Sequence, residues 1–383
     1  IICNAIKLKY DGEDGMVNNK EINKMEIPFF SCGVEYEGKI YIASAQNNDL
    51  YEYECSTNVL RCITFFEKEK DMEYLYRTCI LYKEKAWFIP HLAENIAVFD
   101  LKTFIIDYIP LNYKWIEKSY VLKCASAGVY QDHYLYIIPY DIDCVTLIDM
   151  ENKSVRVLND IRNHGEIYID AYYYNGYLYC LPWTAESILK IDVISGEKQR
   201  LEWRFGKKQY SQAIVDYEKE EVWFTPAGAS KILKLNLKKN EWRTFPYGER
   251  KEECADDYIE SFYGKIFNGK VFMFPFSCKE IISIDREKNS ISRYDYHGEM
   301  VKIPFFKPIF STKLIDVIEY TNQLLYYNEQ HECFEQRDLK LIIDKEFTEM
   351  RCKKMQIQIN NNQAVKENDM VGFRQYIQYV IER

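Results

Sequence analysis

Eight side chains combine types and spacing that could do chemistry: His91 and Glu94 in "HLAE", Tyr140, Asp141 and Asp143 in "YDID", Trp183 and Glu186 in "WTAE", and Lys279 in "FSCK". An imidazole, carboxylates, aromatic rings and an ammonium converging on one mouth suit a sugar, a peptide with basic groups or a divalent cation. Asp141 and Asp143 stand two residues apart, as oxygen ligands of a hard cation can, but no D-x-D-x-D-G loop surrounds them. Paired carboxylates for general acid–base work could come from different segments, which linear spacing does not reveal. His164 with Glu166 in "NHGEIY" could face the same mouth, although a lone loop histidine is more often an ordinary surface residue. His331 and Glu332 in "QHECFEQ" lack the H-E-x-x-H spacing of a zinc helix. G-x-S-x-G, P-loop and G-x-G-x-x-G patterns are all missing, which removes most support for nucleotide and serine-hydrolase chemistry. No cofactor is expected.

The candidate loops share a landmark, because each follows a proline in an internal repeat. Six segments fit one template: "GKIYIASAQNNDLYEYE", "KAWFIPHLAENIAVFD", "YLYIIPYDIDCVTLID", "YLYCLPWTAESILKID", "EVWFTPAGASKILKLN" and "KVFMFPFSCKEIISID". Their aromatic anchors are Tyr41, Trp87, Tyr136, Tyr179, Trp223 and Phe272, at steps of 46, 49, 43, 44 and 49 residues. Three residues after each anchor comes Pro90, Pro139, Pro182, Pro226 or Pro275, with Ser44 in the first copy. Ten residues further on stands Glu54, Asp100, Asp149, Asp192, Asn236 or Asp285.

Each copy reads as four short strands. An apolar run leads into a tight turn, for which Asn175-Gly176 and Asn268-Gly269 are type I′ signals. The anchor strand stops at the proline, which cannot donate to a ladder. A third strand ends on the acid or amide, whose short side chain can bond the next turn, and a fourth follows. Four-stranded units at a period of ~40 to 50 residues predict an all-β fold, a β-propeller. The anchors are then core between blades rather than ligand contacts. The expected organisation is a propeller over 1–335, with repeats at 31–66, 76–110, 124–158, 168–203, 211–246 and 261–296. A small helical extension over 336–383 rests on the spacing of Leu339, Ile342, Ile343, Phe347 and Met350. Segments 4–30 and 311–330 suit a seventh blade composed from both termini, since "EYTNQLLYYNEQ" lies on "EYEGKIYIASAQ". The rival reading makes 312–328 a helix.

Composition agrees with sheet: 16% of the 383 residues are aromatic, with 33 Tyr. A net charge of -9 disfavours a nucleic-acid backbone or an anionic membrane as partner. No apolar run reaches the ~18 residues a membrane helix needs. Twelve cysteines without a C-x-x-C favour a reducing compartment such as the cytoplasm, with Cys55 and Cys62 the pair to test for a bridge.

The copy "VWFTPAGASKILKLNLKKNEW" resembles the repeats of streptogramin-lyase-like propellers, and the strand order and late Trp of "NEW" are similar to kelch-type propellers. The resemblance covers residues 31 to 295 and implies architecture rather than activity. Streptogramin lyases use His and Glu with bound magnesium; no His occupies the matching loops of the fifth and sixth copies, so that site is not carried over. The absence of Gly-Gly departs from kelch, and no Trp-Asp ends a strand as in WD40 repeats. Varied loops on a constant frame point to a non-enzymatic scaffold for a protein or glycan ligand. The alternative is a metal-assisted lyase or hydrolase at the channel mouth.

Overall fold

Each repeat copy folds as an antiparallel sheet whose strand order follows the chain. The computed structural model describes residues 30–111, 125–139, 144–160, 166–247, 262–275, 280–295, 315–318 and 323–342. The first blade holds β1 (Phe30–Tyr36), β2 (Lys39–Ser44), β3 (Asp49–Glu54) and β4 (Val59–Phe65); the second holds β5 (Tyr76–Tyr82), β6 (Lys85–Pro90), β7 (Asn95–Asp100) and β8 (Ile106–Pro110). The third comprises β9 (Ala125–Gln131), β10 (Tyr134–Pro139), β11 (Cys144–Asp149) and β12 (Ser154–Asp160). The fourth comprises β13 (Tyr168–Tyr174), β14 (Tyr177–Pro182), β15 (Ser187–Asp192) and β16 (Lys198–Glu202). In the fifth are β17 (Tyr210–Asp216), β18 (Glu221–Pro226), β19 (Lys231–Asn236) and β20 (Glu241–Pro246); in the sixth β21 (Phe262–Phe267), β22 (Lys270–Pro275), β23 (Glu280–Asp285) and β24 (Ile291–Asp295). The first strands pack against one another from blade to blade, β1 on β5, β5 on β9 and onward to β21, which makes them the inner wall of a ring. Among the described residues there is no helix, and none long and apolar enough to cross a membrane.

The repeat landmarks are the physical ends of strands. The proline position, or Ser44, closes every second strand, and the acid or amide closes every third. Asp192 accepts hydrogen bonds from the backbone N–H groups of Ile194 (2.9 Å) and Ser195 (2.8 Å), and Asp285 does the same for Glu287 and Lys288 (both 2.9 Å). Asn175-Gly176 and Asn268-Gly269 both have positive φ at each residue, as a type I′ turn requires. Every anchor enters the core between its own blade and the next: Tyr41, Trp87, Tyr136, Trp223 and Phe272 are at most 3% exposed. Tyr179 is the exception and is only half-buried.

Closure occurs through a three-stranded sheet, β25 (Ile315–Ile318), β26 (Gln323–Asn328) and β27 (Cys333–Asp338). The rival helix over 312–328 is therefore corrected, since 315–318 and 323–328 are strands, and β26 occupies the register that laying "QLLYYN" on "KIYIAS" assigned it. Tyr327 and Phe334 pack on Phe272 and Phe274 of the sixth blade. Toward the first blade, Tyr326, Leu339 and Leu341 join the core around Phe30, Ile40 and Leu60. A last strand, β28 (Lys340–Ile342), pairs parallel to β4. Leu339, between β27 and β28, and Ile342, at the end of β28, thus depart from the helical series expected of them: Leu339 packs into the first-blade core and β28 pairs with the β4 edge. Residues 4–29 and the rest of that series lie outside the described residues. No disulfide joins Cys55 to Cys62; both thiols lie beside the first-blade core.

Candidate functional site

Loops after the second strands and the connections between blades are tied to one another, so they share one face. The backbone N–H of His91 donates to the Leu75 carbonyl (2.7 Å), that of Trp183 to Ile167 (2.8 Å) and that of Ala227 to Gln209 (2.8 Å). The same bond thus recurs in blades two, four and five, immediately after the proline, behind a His, a Trp and an Ala. In the reverse direction Tyr74 N–H reaches the Ala45 carbonyl (2.9 Å) and Lys208 N–H the Trp183 carbonyl (2.8 Å). Glu69, 3% exposed, reinforces the second-blade loop: its carboxylate accepts from the N–H groups of Glu94 (2.9 Å) and Asn95 (3.0 Å) and from the Asn95 amide (2.7 Å). Nothing in the charged run "EKEKD" distinguishes this buried carboxylate from its solvated neighbours.

The candidate side chains occupy unlike environments on this face. His91 is half-buried. Glu94 is exposed and lies 3.5 Å from Lys70; Glu186 is exposed and lies 3.0 Å from Lys207. Exposed pairs of this kind contribute little to stability and are readily exchanged for a ligand group. Trp183 is 5% exposed and packs in the core between blades four and five, so it fixes its loop from beneath. Glu166 is held by the Arg200 guanidinium through two bonds (3.0 and 2.7 Å), which raises the Arg200 pKa, and Arg200 also donates to Ser187 Oγ (3.0 Å). That carboxylate therefore works as a brace. Tyr140, Asp141, Asp143, His164 and Lys279 lie outside the described residues. Among the described residues no group of three His, Cys, Asp or Glu side chains is placed to hold a metal.

The axis of the ring is polar. Arg77 of β5, 3% exposed, donates to the Tyr263 hydroxyl of β21 (3.4 Å), joining blades two and six across the channel. Burial lowers the Lys265 pKa, partly offset by the charge of Glu35.

A second concavity lies between blades four and five, sharing with the loop face only Arg204 and Phe205 of the connection from β16 to β17. Its volume is about 570 Å³, and its lining runs from the first and second strands of blade four to the outer strands of blade five. Tyr172, Ile188 and Leu235 form a buried floor; Tyr174, Tyr179, Phe205 and Trp242 are half-buried walls; Glu202, Arg204 and Asn240 are exposed at the lip. The repeat register shows how unusual this is. Tyr172 pairs with the anchor Tyr179, where other blades pair Val34, Ile80, Val129, Ile214 or Lys265 with theirs. Trp242 stands where the other fourth strands have Leu60, Ile106, Val155, Lys198 or Ile291. The sequence signal was available: both are aromatic substitutions at framework positions.

No protein-family model matches the sequence, and no curated protein matches it. Solved structures do. A streptogramin B lyase structure is similar at 12% identity and a TM-score of 0.56, over 79% of this chain and 92% of that one. Virginiamycin B lyase from Staphylococcus aureus is similar at 11% identity and a TM-score of 0.53, over 79% and 94%. Hsv2 of Kluyveromyces lactis is similar at 10% identity and a TM-score of 0.50, over 82% and 98%. Identities this low carry architecture and no activity. The topology, the blade-to-blade cores and these likenesses agree that the chain folds as a β-propeller.

Proposed function

We propose that the ring is a non-enzymatic scaffold that binds a protein or glycan through the loop face bearing His91, Glu94, Tyr140, Asp141, Asp143, Trp183, Glu186 and Lys279. One observation carries the reading: an identical backbone bond holds the loops of blades two, four and five while the exposed residues that follow it differ, Glu94 in one, Glu186 in the next and Gly228 with Ser230 in the third. Loops fixed in this way lose little freedom when a ligand arrives, so their differing tips can be spent on recognition. Glu94 and Glu186 offer carboxylates already exposed at that face.

The full chain applied to a glycan array and a displayed-peptide library tests the proposal. Saturable binding to one class, weakened about tenfold by the double charge reversal Glu94→Lys with Glu186→Lys at unchanged melting temperature, is expected. Binding that ignores the reversal, or no binding in either format, overturns it. A magnesium-dependent rise in melting temperature that Asp141→Asn abolishes favours the metal-assisted lyase or hydrolase instead.

A further inference from the structure

We propose that the cleft between blades four and five is a binding site for a neutral oligosaccharide that does not involve the post-proline loops. Departure from the repeat is the first argument. Five anchors are sealed at 3% exposure or less, whereas Tyr179 is left half-open. The partner positions on both sides have become Tyr172 and Trp242, yet these larger side chains do not fill the interface. Tyr172 stacks flat on Tyr179 at 4.9 Å and 5° between planes, and Trp242 leans on Phe205 at 4.9 Å. Bulk added to a core normally closes space; here it lines about 570 Å³, within the usual range of ligand pockets, about 300–1,000 Å³.

Chemistry of the walls selects the ligand. A pyranose has an apolar C–H face and a rim of hydroxyls. The half-buried rings of Tyr179, Phe205 and Trp242 offer flat apolar surfaces for the former. Glu202, Arg204 and Asn240 at the lip offer an acceptor-only, a donor-only and a mixed group for the latter. A purely apolar ligand would strip water from those three groups without replacing it. An aromatic cage for a quaternary ammonium is the nearest rival. The protein's own cations already stand beside two of its rings: Lys190 Nζ lies 5.9 Å from the Tyr179 centroid, and the Arg204 guanidinium lies 5.5 Å from that of Phe205. A cationic guest would meet two like charges.

Calorimetric titration of the full chain with di- to tetrasaccharides of glucose, galactose, mannose and N-acetylglucosamine tests the site, with tryptophan emission as a second readout. Trp87, Trp183, Trp203 and Trp223 are buried, so among the described tryptophans Trp242 is the one a cleft ligand would reach. Saturable binding of at least one sugar with an emission change is expected, weakened about tenfold in both Trp242→Ala and Glu202→Ala. Glu202 is exposed, so its variant keeps the test valid if loss of Trp242 disturbs the fold. Binding that survives Glu202→Ala and Trp242→Ala but is lost in the Glu94→Lys, Glu186→Lys protein refutes the cleft and supports the loop face. Failure of the whole panel overturns the proposal, as does binding of choline or trimethyl-lysine with the same dependence on Trp242.

Discussion

At the scale of single residues, the turn after the third strand is the most repeated chemical device in the molecule. Asp100, Asp192 and Asp285 each accept from two backbone N–H groups, and those bonds hold all three carboxyls below their ordinary pKa. An unfolded aspartate titrates near about 3.9. The unfolded chain therefore takes up protons first as pH falls, and the stabilisation, complete above about pH 5, is lost as pH drops through the lower folded values. Asn236 fills the same position in blade five and bonds the Lys239 N–H (2.8 Å) without a charge. Asp192→Asn is accordingly expected to melt below the wild-type temperature at neutral pH and to lose less of its stability between about pH 5 and about pH 3. Thermal melts across that range decide; an unchanged acid slope contradicts the assignment. This role was legible in the sequence because an acid or amide recurs ten residues after each proline. The tether of the following loop was not, since it uses only backbone atoms and any residue can supply it.

At the scale of elements, the inner strands must approach their neighbours closely, and small residues make that possible. Gly33, Cys79, Gly128, Ala171 and Gly264 each stand eight residues before their anchor, a column in which Ala213 of blade five, ten residues before Trp223, holds the same place in the register. The anchors stood out because aromatic residues are conspicuous; this column escaped notice because glycine, alanine and cysteine are common everywhere. Gly264 is the tightest case. A Cβ there would collide with Ile214 Cδ1 and lie 2.8 Å from the Phe272 carbonyl oxygen, a backbone atom that cannot swing aside. Its N–H also donates to Gln212 Oε1 at 2.8 Å. Gly264→Ala is expected to cost about 1–3 kcal/mol in denaturant unfolding, the usual penalty of overpacking. A neutral result would mean that blades five and six can separate without loss. The cleft beside blade five was missed for a related reason: variation was sought in loops, while Tyr172 and Trp242 vary within strands.

At the scale of the whole molecule, six four-stranded sheets are joined through a seam made of β25–β28. The sequence located β26, whose apolar residues copy those of β2, but β28 has no counterpart in the repeat and could not be anticipated. Leu339, 8% exposed, sits where the seam meets the first blade. Leu339→Ala is expected to cost about 2–5 kcal/mol. Hydrogen exchange should show protection falling first in β1–β4 and β25–β28, with β13–β20 retaining theirs. A uniform loss over all blades would show that the ring opens elsewhere.

The seam also bears on time. Aromatic packing of Phe334 on blade six and strand pairing of β28 on blade one are attachments in series, so release of either one opens the ring. Escape from the folded state can then begin at either attachment, so the lifetime of the ring should respond to seam substitutions more steeply than its rate of formation does.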